Sequence, residues 1–133
     1  MKRFIIAITG ASGACYAKRL FDVLKETSEL HLIISERGVE LLKIELGLKA
    51  SYFAGESVTL YKNSKINTCI ASGSFRTDGM VVVPASMGTV GRIASGVSTT
   101  MVERAADVIL KEKRKLIIVP REAPFSTIHL KNL

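Results

Sequence analysis

Short apolar runs alternate along this chain with longer segments in which apolar residues recur at helical spacing. The apolar runs predict strands over residues 3–8, 31–35, 79–84 and 115–120, with a shorter extended piece over 58–61. The amphipathic segments predict helices over residues 13–26, 36–47, 86–96 and 99–113. Apolar strands that alternate with helices are typical of a parallel sheet covered on both faces. We therefore predict one α/β domain over residues 1–133, with four buried strands.

The segment FIIAITGASGACYAKRL, residues 4–20, contains the first change from strand to helix. The apolar strand ends before Thr9 and Gly10, and the apolar positions of the helix begin at Ala14. A strand that runs through Gly and Ser into a helix leaves unpaired N–H groups at the positive end of the helix dipole. The segment therefore predicts an anion site at the start of the first helix.

Ligands of such sheets bind beyond the carboxyl ends of the strands, and small or polar residues follow all four predicted buried strands. These residues are Thr9 to Gly13, Ser35 with Glu36, Pro84 to Thr89, and Pro120 to Glu122. The first turn is not GxGxxG, the second strand ends in Ser35 where a ribose-binding acid is expected, and there is no GxxxxGK[ST] loop. Hydroxyls and backbone amides therefore favour a mononucleotide such as FMN.

The composition narrows the classes of ligand and partner. The net charge of +7 comes from 19 basic and 12 acidic residues and is densest in KEKRK, residues 111–115. This run suits a solvated helix end, and no nucleic-acid recognition motif accompanies it, so we expect an anionic small molecule rather than nucleic acid. No apolar run approaches the roughly 20 residues of a membrane span.

The cysteines, the histidines and the N-terminus exclude several other kinds of site. Cys15 and Cys69 lack CxxC spacing and are predicted to be buried as small hydrophobic residues. His31 lies in an apolar run and His129 near the chain end, and neither has a second ligand at metal spacing, so no metal site is predicted. The N-terminal apolar run is shorter than the roughly 7–15 residues of a signal-peptide core, which predicts a cytoplasmic protein.

Five segments together resemble the flavin prenyltransferases, the UbiX-like proteins once called aromatic acid decarboxylases. They are ITGASGACYAKRL, the strand end IIS, PASMGT, ERAADVILKEKR and VPREAPFSTIHL, and they extend over nearly the whole chain. The resemblance implies a Rossmann-like (flavodoxin-like) α/β fold and transfer of a dimethylallyl group from dimethylallyl phosphate to N5 and C6 of reduced FMN without a metal. It also implies a UbiD-like decarboxylase as the partner that uses the product, a homo-oligomer (a dodecamer with active sites between subunits), and family sequence beyond Leu133.

The resemblance, carried over position by position, also implies three groups of site residues. The flavin-binding group is Gly10, Ala11, Ser12, Ser35, Ser86, Met87, Gly88, Thr89 and Arg121. The prenyl-phosphate group is Ser72, Arg104 and Lys111. The catalytic group is Ser12, Glu45 and Glu122.

Two of these assignments have alternatives on the residues alone. Arg104 and Lys111 lie seven residues apart, on nearly the same helix face, and two cations there can hold a phosphate. They can equally pair with Glu103 and Asp107 as an ordinary charged surface. Glu122 follows Arg121 directly, so its carboxylate either exchanges a proton with the leaving phosphate or holds Arg121 in place.

Two other functions compete with prenyl transfer. The first is an FMN-dependent cysteine decarboxylase of the same superfamily. His31 lies in a predicted strand, a poor place for the histidine of that chemistry, and PASMGT departs from the Pro-Ala-Ser-Ala-Asn-Thr loop of those enzymes. The second is a non-catalytic subunit that binds FMN and leaves it unmodified.

Overall fold

The computed structural model describes residues 1–133 and contains one five-stranded sheet. Its strands are β1 (Lys2–Ile8), β2 (Ser28–Ile34), β3 (Val58–Lys62), β4 (Gly79–Ala85) and β5 (Lys115–Pro120). All four pairings are parallel, and the order across the sheet is β3-β2-β1-β4-β5. This order matches the first five strands of the Rossmann arrangement and confirms the predicted fold class. The predicted extended piece at 58–61 is the edge strand β3, paired with β2.

Helices cover both faces of this sheet. They are α1 (Ala14–Leu24), α2 (Glu36–Leu46), α3 (Met87–Ala94), α4 (Met101–Lys111) and α5 (Thr127–Asn132), with short 3-10 turns at Ala50–Phe53 and Cys69–Ala71. The predicted second helix extends to residue 47, but Gly47 has a φ of 66° and closes α2 as a left-handed cap. No helix is long and apolar enough to cross a membrane.

The sheet separates two apolar cores, because successive side chains of a strand point to opposite faces. On one face, Ile6 and Ile8 of β1 pack with Phe21 of α1. On the other face, Ile5 and Ala7 pack with the apolar side of α4. This arrangement explains why β1 is apolar at consecutive positions, since each face of the central strand is covered.

The prediction that residues 115–120 form a fully buried strand is wrong. β5 is an edge strand, and its residues alternate between half-buried and exposed. Leu116 and Ile118 pack against the core under α4, whereas Ile117 is 48% exposed and Val119 is 37% exposed on the opposite face. The apolar sequence is continuous, but only one of its two faces is covered.

The prediction that both cysteines are buried is also wrong, since Cys15 and Cys69 are free and exposed. Cys15 is the second residue of α1, whose buried stripe is Ala14, Ala17 and Phe21. Cys69 begins a 3-10 turn, and its Sγ lies 3.2 Å from the hydroxyl of Tyr61.

Candidate flavin and phosphate site

The segments after β1, β2, β4 and β5 lie at the carboxyl edge of the sheet, which we call the rim: residues 9–13, 35–36, 86–89 and 121–122. Thr9 joins the ends of β1 and β4 at its centre. Its hydroxyl donates to the Pro84 carbonyl at 2.7 Å and accepts from the Ser86 N–H at 2.9 Å. The chain turns to opposite sides of the sheet at β1 and β4, so Thr9 lies where such sheets open a ligand crevice. Thr9 is absent from the predicted site residues, although a polar side chain between an apolar strand and a Gly turn is a signal for it.

The start of α1 differs from its prediction as a free anion site. The carboxylate of Glu45, from the end of α2, accepts the N–H groups of Gly13 at 3.1 Å and Ala14 at 3.0 Å. These backbone hydrogen bonds, first that of Ala14, hold the pKa of Glu45 below its ordinary value. The positive end of the helix dipole therefore binds an anion, but that anion is a side chain of this protein.

Glu45 shares a cleft of about 330 Å³ with two other predicted site residues, Ser12 and Arg121. The cleft has nine lining residues: Ser12, Gly13, Cys15, Tyr16, Glu45, Pro84, Val119, Pro120 and Arg121. Arg121 is exposed at the end of β5, and its charge contributes to lowering the pKa of Glu45. The fold thus brings residues 12, 45 and 121 together from three separate segments.

The hydroxyls of Ser35 and Ser86 cap helices. Ser35 Oγ accepts the Gly38 N–H at 3.0 Å at the start of α2, and Ser86 Oγ accepts the Thr89 N–H at 3.2 Å at the start of α3. Both serines are half-buried at the rim. The positive ends of α2 and α3 therefore point to the same edge of the sheet as the cleft.

The other flavin-group residues divide into buried and exposed positions. Ala11, Met87 and Thr89 are buried. Met87 packs in the core under α4, and the Thr89 hydroxyl lies 2.8 Å from Ser86 Oγ. Gly88 is exposed and Gly10 is half-buried. A side chain at Gly10 would collide with Cβ and Cγ of Arg37, which lies directly over this glycine.

The prenyl-phosphate residues lie away from the rim. Ser72 and Arg104 share a second concavity, the α4 concavity, lined by Ile66, Asn67, Thr68, Ala71, Ser72, Ser98 and Arg104. It has no lining residue in common with the rim cleft. The hydroxyl of Ser98 is buried there without a hydrogen-bond partner. A cation beside an unpaired hydroxyl suits a phosphate group. The sequence carries no signal for Ser98, because only the fold brings it beside Arg104.

Lys111 does not line this concavity. It lies seven positions from Arg104, about 10 Å along the helix axis, and its role at the phosphate stays a prediction. The alternative, in which these cations pair with Glu103 and Asp107, is present for Asp107 only. The Nη1 atom of Arg104 lies 3.9 Å from an oxygen of Asp107, but Glu103 is buried and binds Arg92 of α3 at 2.7 Å instead.

Glu122 makes no ion pair with Arg121. Its Oε1 accepts the N–H of Ala123 at 3.1 Å, and both Glu122 and Arg121 are exposed. The geometry therefore gives no support to a role of Glu122 in holding Arg121. Its role in proton exchange stays a prediction. Among the chain's His, Cys, Asp and Glu residues, no group of three lies close enough to hold a metal ion.

A doubly wound sheet with a polar crevice at its switch point is typical of nucleotide-binding α/β proteins. Comparison with known proteins identifies the family within this class. The profile of the family described as Flavoprotein matches residues 1–133. The flavin prenyltransferase UbiX of Methanocaldococcus jannaschii is 46% identical over 131 residues, which cover 98% of this chain and 71% of the relative.

Two solved structures agree with this likeness. A dodecameric FMN-dependent UbiX-like decarboxylase from Escherichia coli O157:H7 superposes with a TM-score of 0.92 at 41% identity, covering 98% of this chain and 71% of that one. AnUbiX in complex with FMN and dimethylallyl pyrophosphate superposes with a TM-score of 0.93 at 37% identity, covering 98% and 70%. The chain belongs to the flavin prenyltransferases of the Flavoprotein family.

The cysteine decarboxylases share only the fold with this chain. The peptidyl-cysteine decarboxylase EpiD superposes with a TM-score of 0.71 at 18% identity, covering 99% of this chain and 80% of that one. The buried position of His31 within β2 agrees with the expectation that it does not serve that chemistry.

Proposed function

We propose that this protein is a flavin prenyltransferase, which transfers a dimethylallyl group from dimethylallyl phosphate to reduced FMN. The observation that carries the proposal is the rim cleft, where Ser12, Glu45 and Arg121 meet at the switch point of the sheet. The relatives named flavin prenyltransferase support it, as does the related structure that holds FMN with dimethylallyl pyrophosphate.

In this proposal the rim holds the flavin. Arg121 supplies a cation and Ser12 a hydroxyl from opposite sides of the cleft. The helix starts capped by Ser35 and Ser86 provide backbone N–H groups and dipoles suited to the FMN phosphate. Glu45 is already held by α1, so its carboxylate is fixed in the ionised state beside the flavin.

The α4 concavity holds the prenyl phosphate in this proposal. Arg104, Ser72 and the unpaired hydroxyl of Ser98 bind the phosphate and stabilise the charge that develops as it leaves. Reduced FMN, the second substrate, supplies the electron-rich ring that receives the dimethylallyl group at N5 and C6. Glu122 exchanges a proton with the departing phosphate.

Because the rim cleft and the α4 concavity have separate linings within one chain, we infer that a complete site forms between copies. One copy supplies the rim, and its neighbour supplies the α4 concavity. The dodecameric relative supports such an assembly. The prenylated flavin then passes to a UbiD-like decarboxylase. We propose that the protein acts in a reducing compartment such as the cytoplasm, where free cysteines such as its two stay reduced.

The direct test is the mass of the flavin after reaction. The protein is incubated anaerobically with reduced FMN and dimethylallyl phosphate, and the flavin is released and weighed by mass spectrometry. The proposal expects a mass increase of one dimethylallyl unit, absent when the prenyl donor is omitted. Tight binding of unchanged FMN would favour the non-catalytic subunit, and turnover of a peptidyl or pantothenoyl cysteine would favour the decarboxylase.

A further inference from the structure

A chain of four hydrogen-bonded side chains lies outside both the rim and the α4 concavity. His31 Nε2 is 2.7 Å from Glu29 Oε1, and His31 Nδ1 is 2.7 Å from the hydroxyl oxygen of Tyr61. The same hydroxyl oxygen is 3.2 Å from Sγ of Cys69. We call Glu29, His31, Tyr61 and Cys69 the relay. It runs from a buried imidazole to an exposed thiol, and no step of the proposed reaction uses it.

The hydrogen bonds of the relay have a defined direction. Hydrogen bonds from His31 and then Arg3 hold the pKa of Glu29 below its ordinary value, so Glu29 is ionised and only accepts. His31 Nε2 therefore carries the proton that it donates to Glu29, and in that tautomer Nδ1 accepts the Tyr61 O–H. The Tyr61 oxygen in turn accepts from the Cys69 thiol.

Packing holds these groups in place. His31 is 4% exposed, and its ring stacks on Tyr61 at a centroid distance of 5.7 Å and meets the edge of Phe75 at 5.1 Å. The Arg3 guanidinium lies 4.3 Å from the centre of the Phe75 ring and 3.0 Å from Glu29. Burial raises the pKa of Tyr61, so its hydroxyl stays protonated and can pass a proton along.

This arrangement has the parts of an activated nucleophile: a thiol, a base reached through one hydroxyl, and a carboxylate that orients the base. The charged and titratable groups around His31 are Arg3 from β1, Glu29 from its own strand, Tyr61 from β3 and Cys69 from the 3-10 turn. The Glu29 carboxylate orients the His31 ring, and Arg3 shares that carboxylate.

We propose that Cys69 is a reactive thiol, activated by His31 through Tyr61, that forms mixed disulfides with low-molecular-weight disulfides. The Cys69 proton moves to the Tyr61 oxygen while the Tyr61 proton moves to His31 Nδ1. The thiolate then attacks one sulfur of the disulfide, so a new S–S bond forms, the old one breaks, and the departing thiolate takes up a proton. Cys69 is oxidised, and the co-substrate releases one reduced thiol.

Cys15 provides an internal reference for the test, because it is also free and exposed but is not joined to such a relay. The Glu45 carboxylate already occupies the start of α1, which would otherwise favour a Cys15 thiolate. The protein is treated with oxidised glutathione at pH 7, and the glutathionylated fraction of each cysteine-containing peptide is followed by mass spectrometry. We expect Cys69 to react about 10-fold faster than Cys15, because a thiol without a base is only a few per cent thiolate at pH 7 and full ionisation gains little more than that factor.

Tyr61→Phe is the decisive variant, because it keeps the ring stacked on His31 and removes only the hydroxyl of the relay. We expect it to bring the Cys69 rate down to that of Cys15 while the Cys15 rate and the circular dichroism spectrum stay unchanged. Glu29→Gln should lower the Cys69 rate by an intermediate factor, since an amide oxygen still accepts the His31 N–H but carries no charge to balance the proton that moves to the ring.

Two results would overturn the proposal. One is equal reaction of the two cysteines in the unsubstituted protein, which needs no variant to interpret. The other is an undiminished Cys69 rate in both Tyr61→Phe and Glu29→Gln. Neither readout depends on flavin or prenyl transfer, so this inference fails or holds independently of the proposed function.

Discussion

The rim and the α4 concavity contribute differently to the candidate site. The rim gathers Ser12, Glu45 and Arg121 into one cleft through the ends of parallel strands, all within a single chain. The α4 concavity gathers Ser72, Ser98 and Arg104 through a loop and a helix, and it shares no residue with the cleft. The two linings are separate within one chain, which is why we infer that neighbouring copies join them into one site.

The two regions are nevertheless tied together mechanically. α3 begins at the rim and α4 carries the concavity, and Arg92 of α3 binds the buried carboxylate of Glu103 in α4 at 2.7 Å. Burial alone would raise the pKa of Glu103, but hydrogen bonds from Thr99, Arg92 and Thr100 outweigh it and hold that pKa below its ordinary value. The helix that carries Arg104 is therefore linked to the helix that begins at the rim.

The largest effect is expected from a substitution in the α4 concavity. Arg104→Ala should lower the rate of prenyl transfer by about 10²–10³-fold, the usual loss for one group that stabilises developing charge. FMN affinity should stay unchanged, because Arg104 does not line the rim. Flavin mass spectrometry gives the rate and fluorescence titration gives the affinity. Arg19→Ala, which removes an exposed arginine of α1, is the matched control and should change neither.

The next largest effect is expected from a substitution at the rim, and it concerns FMN affinity. Arg121→Ala should weaken FMN binding by about 1.5–3 kcal/mol, the range for losing a charge-assisted hydrogen bond. Lys111→Ala should leave FMN affinity intact, because Lys111 lies near the far end of α4. Fluorescence titration of FMN against both variants makes the comparison. Equal losses in the two, or none in Arg121→Ala, would mean that the flavin half is not at the rim.

The smallest effect is expected at Glu45, which lines the rim cleft. Its folded-state pKa is below the ordinary value of 4.5, so its stabilisation is present above that pH and is lost as the pH falls through the folded pKa. Glu45→Gln should cost about 0.3–1 kcal/mol at pH 7, the usual contribution of a negative charge near a helix N-terminus, because the amide oxygen still accepts the two N–H groups. Urea unfolding at pH 7 and in acid measures this difference, which should vanish in acid. A constant difference would contradict the assignment.

The location of a residue can be predicted from the sequence where it follows from the end of a strand. Arg121 and Ser12 are found because all parallel strands end at one edge, and the pattern places those ends correctly. The wrong predictions concern burial, which depends on whether another element packs over a residue. Cys15 and Ile117 are apolar or weakly polar, yet both are exposed, because a helix stripe and an edge strand each bury only one face. Glu45 at α1 and the unpaired Ser98 depend on tertiary contacts that no local pattern encodes.

In the proposed assembly the rim of one copy works with the α4 concavity of another, and mixing two impaired variants tests this pairing, at an FMN concentration well below the Kd of the Arg121→Ala protein. Arg121→Ala protein and Arg104→Ala protein are each assayed alone, then dissociated, mixed in equal amounts and reassembled. The account predicts that the mixture regains about a quarter of the unsubstituted rate, because random assembly gives that share of sites an intact rim and an intact concavity. A mixture that shows only the mean of the two separate rates would contradict it.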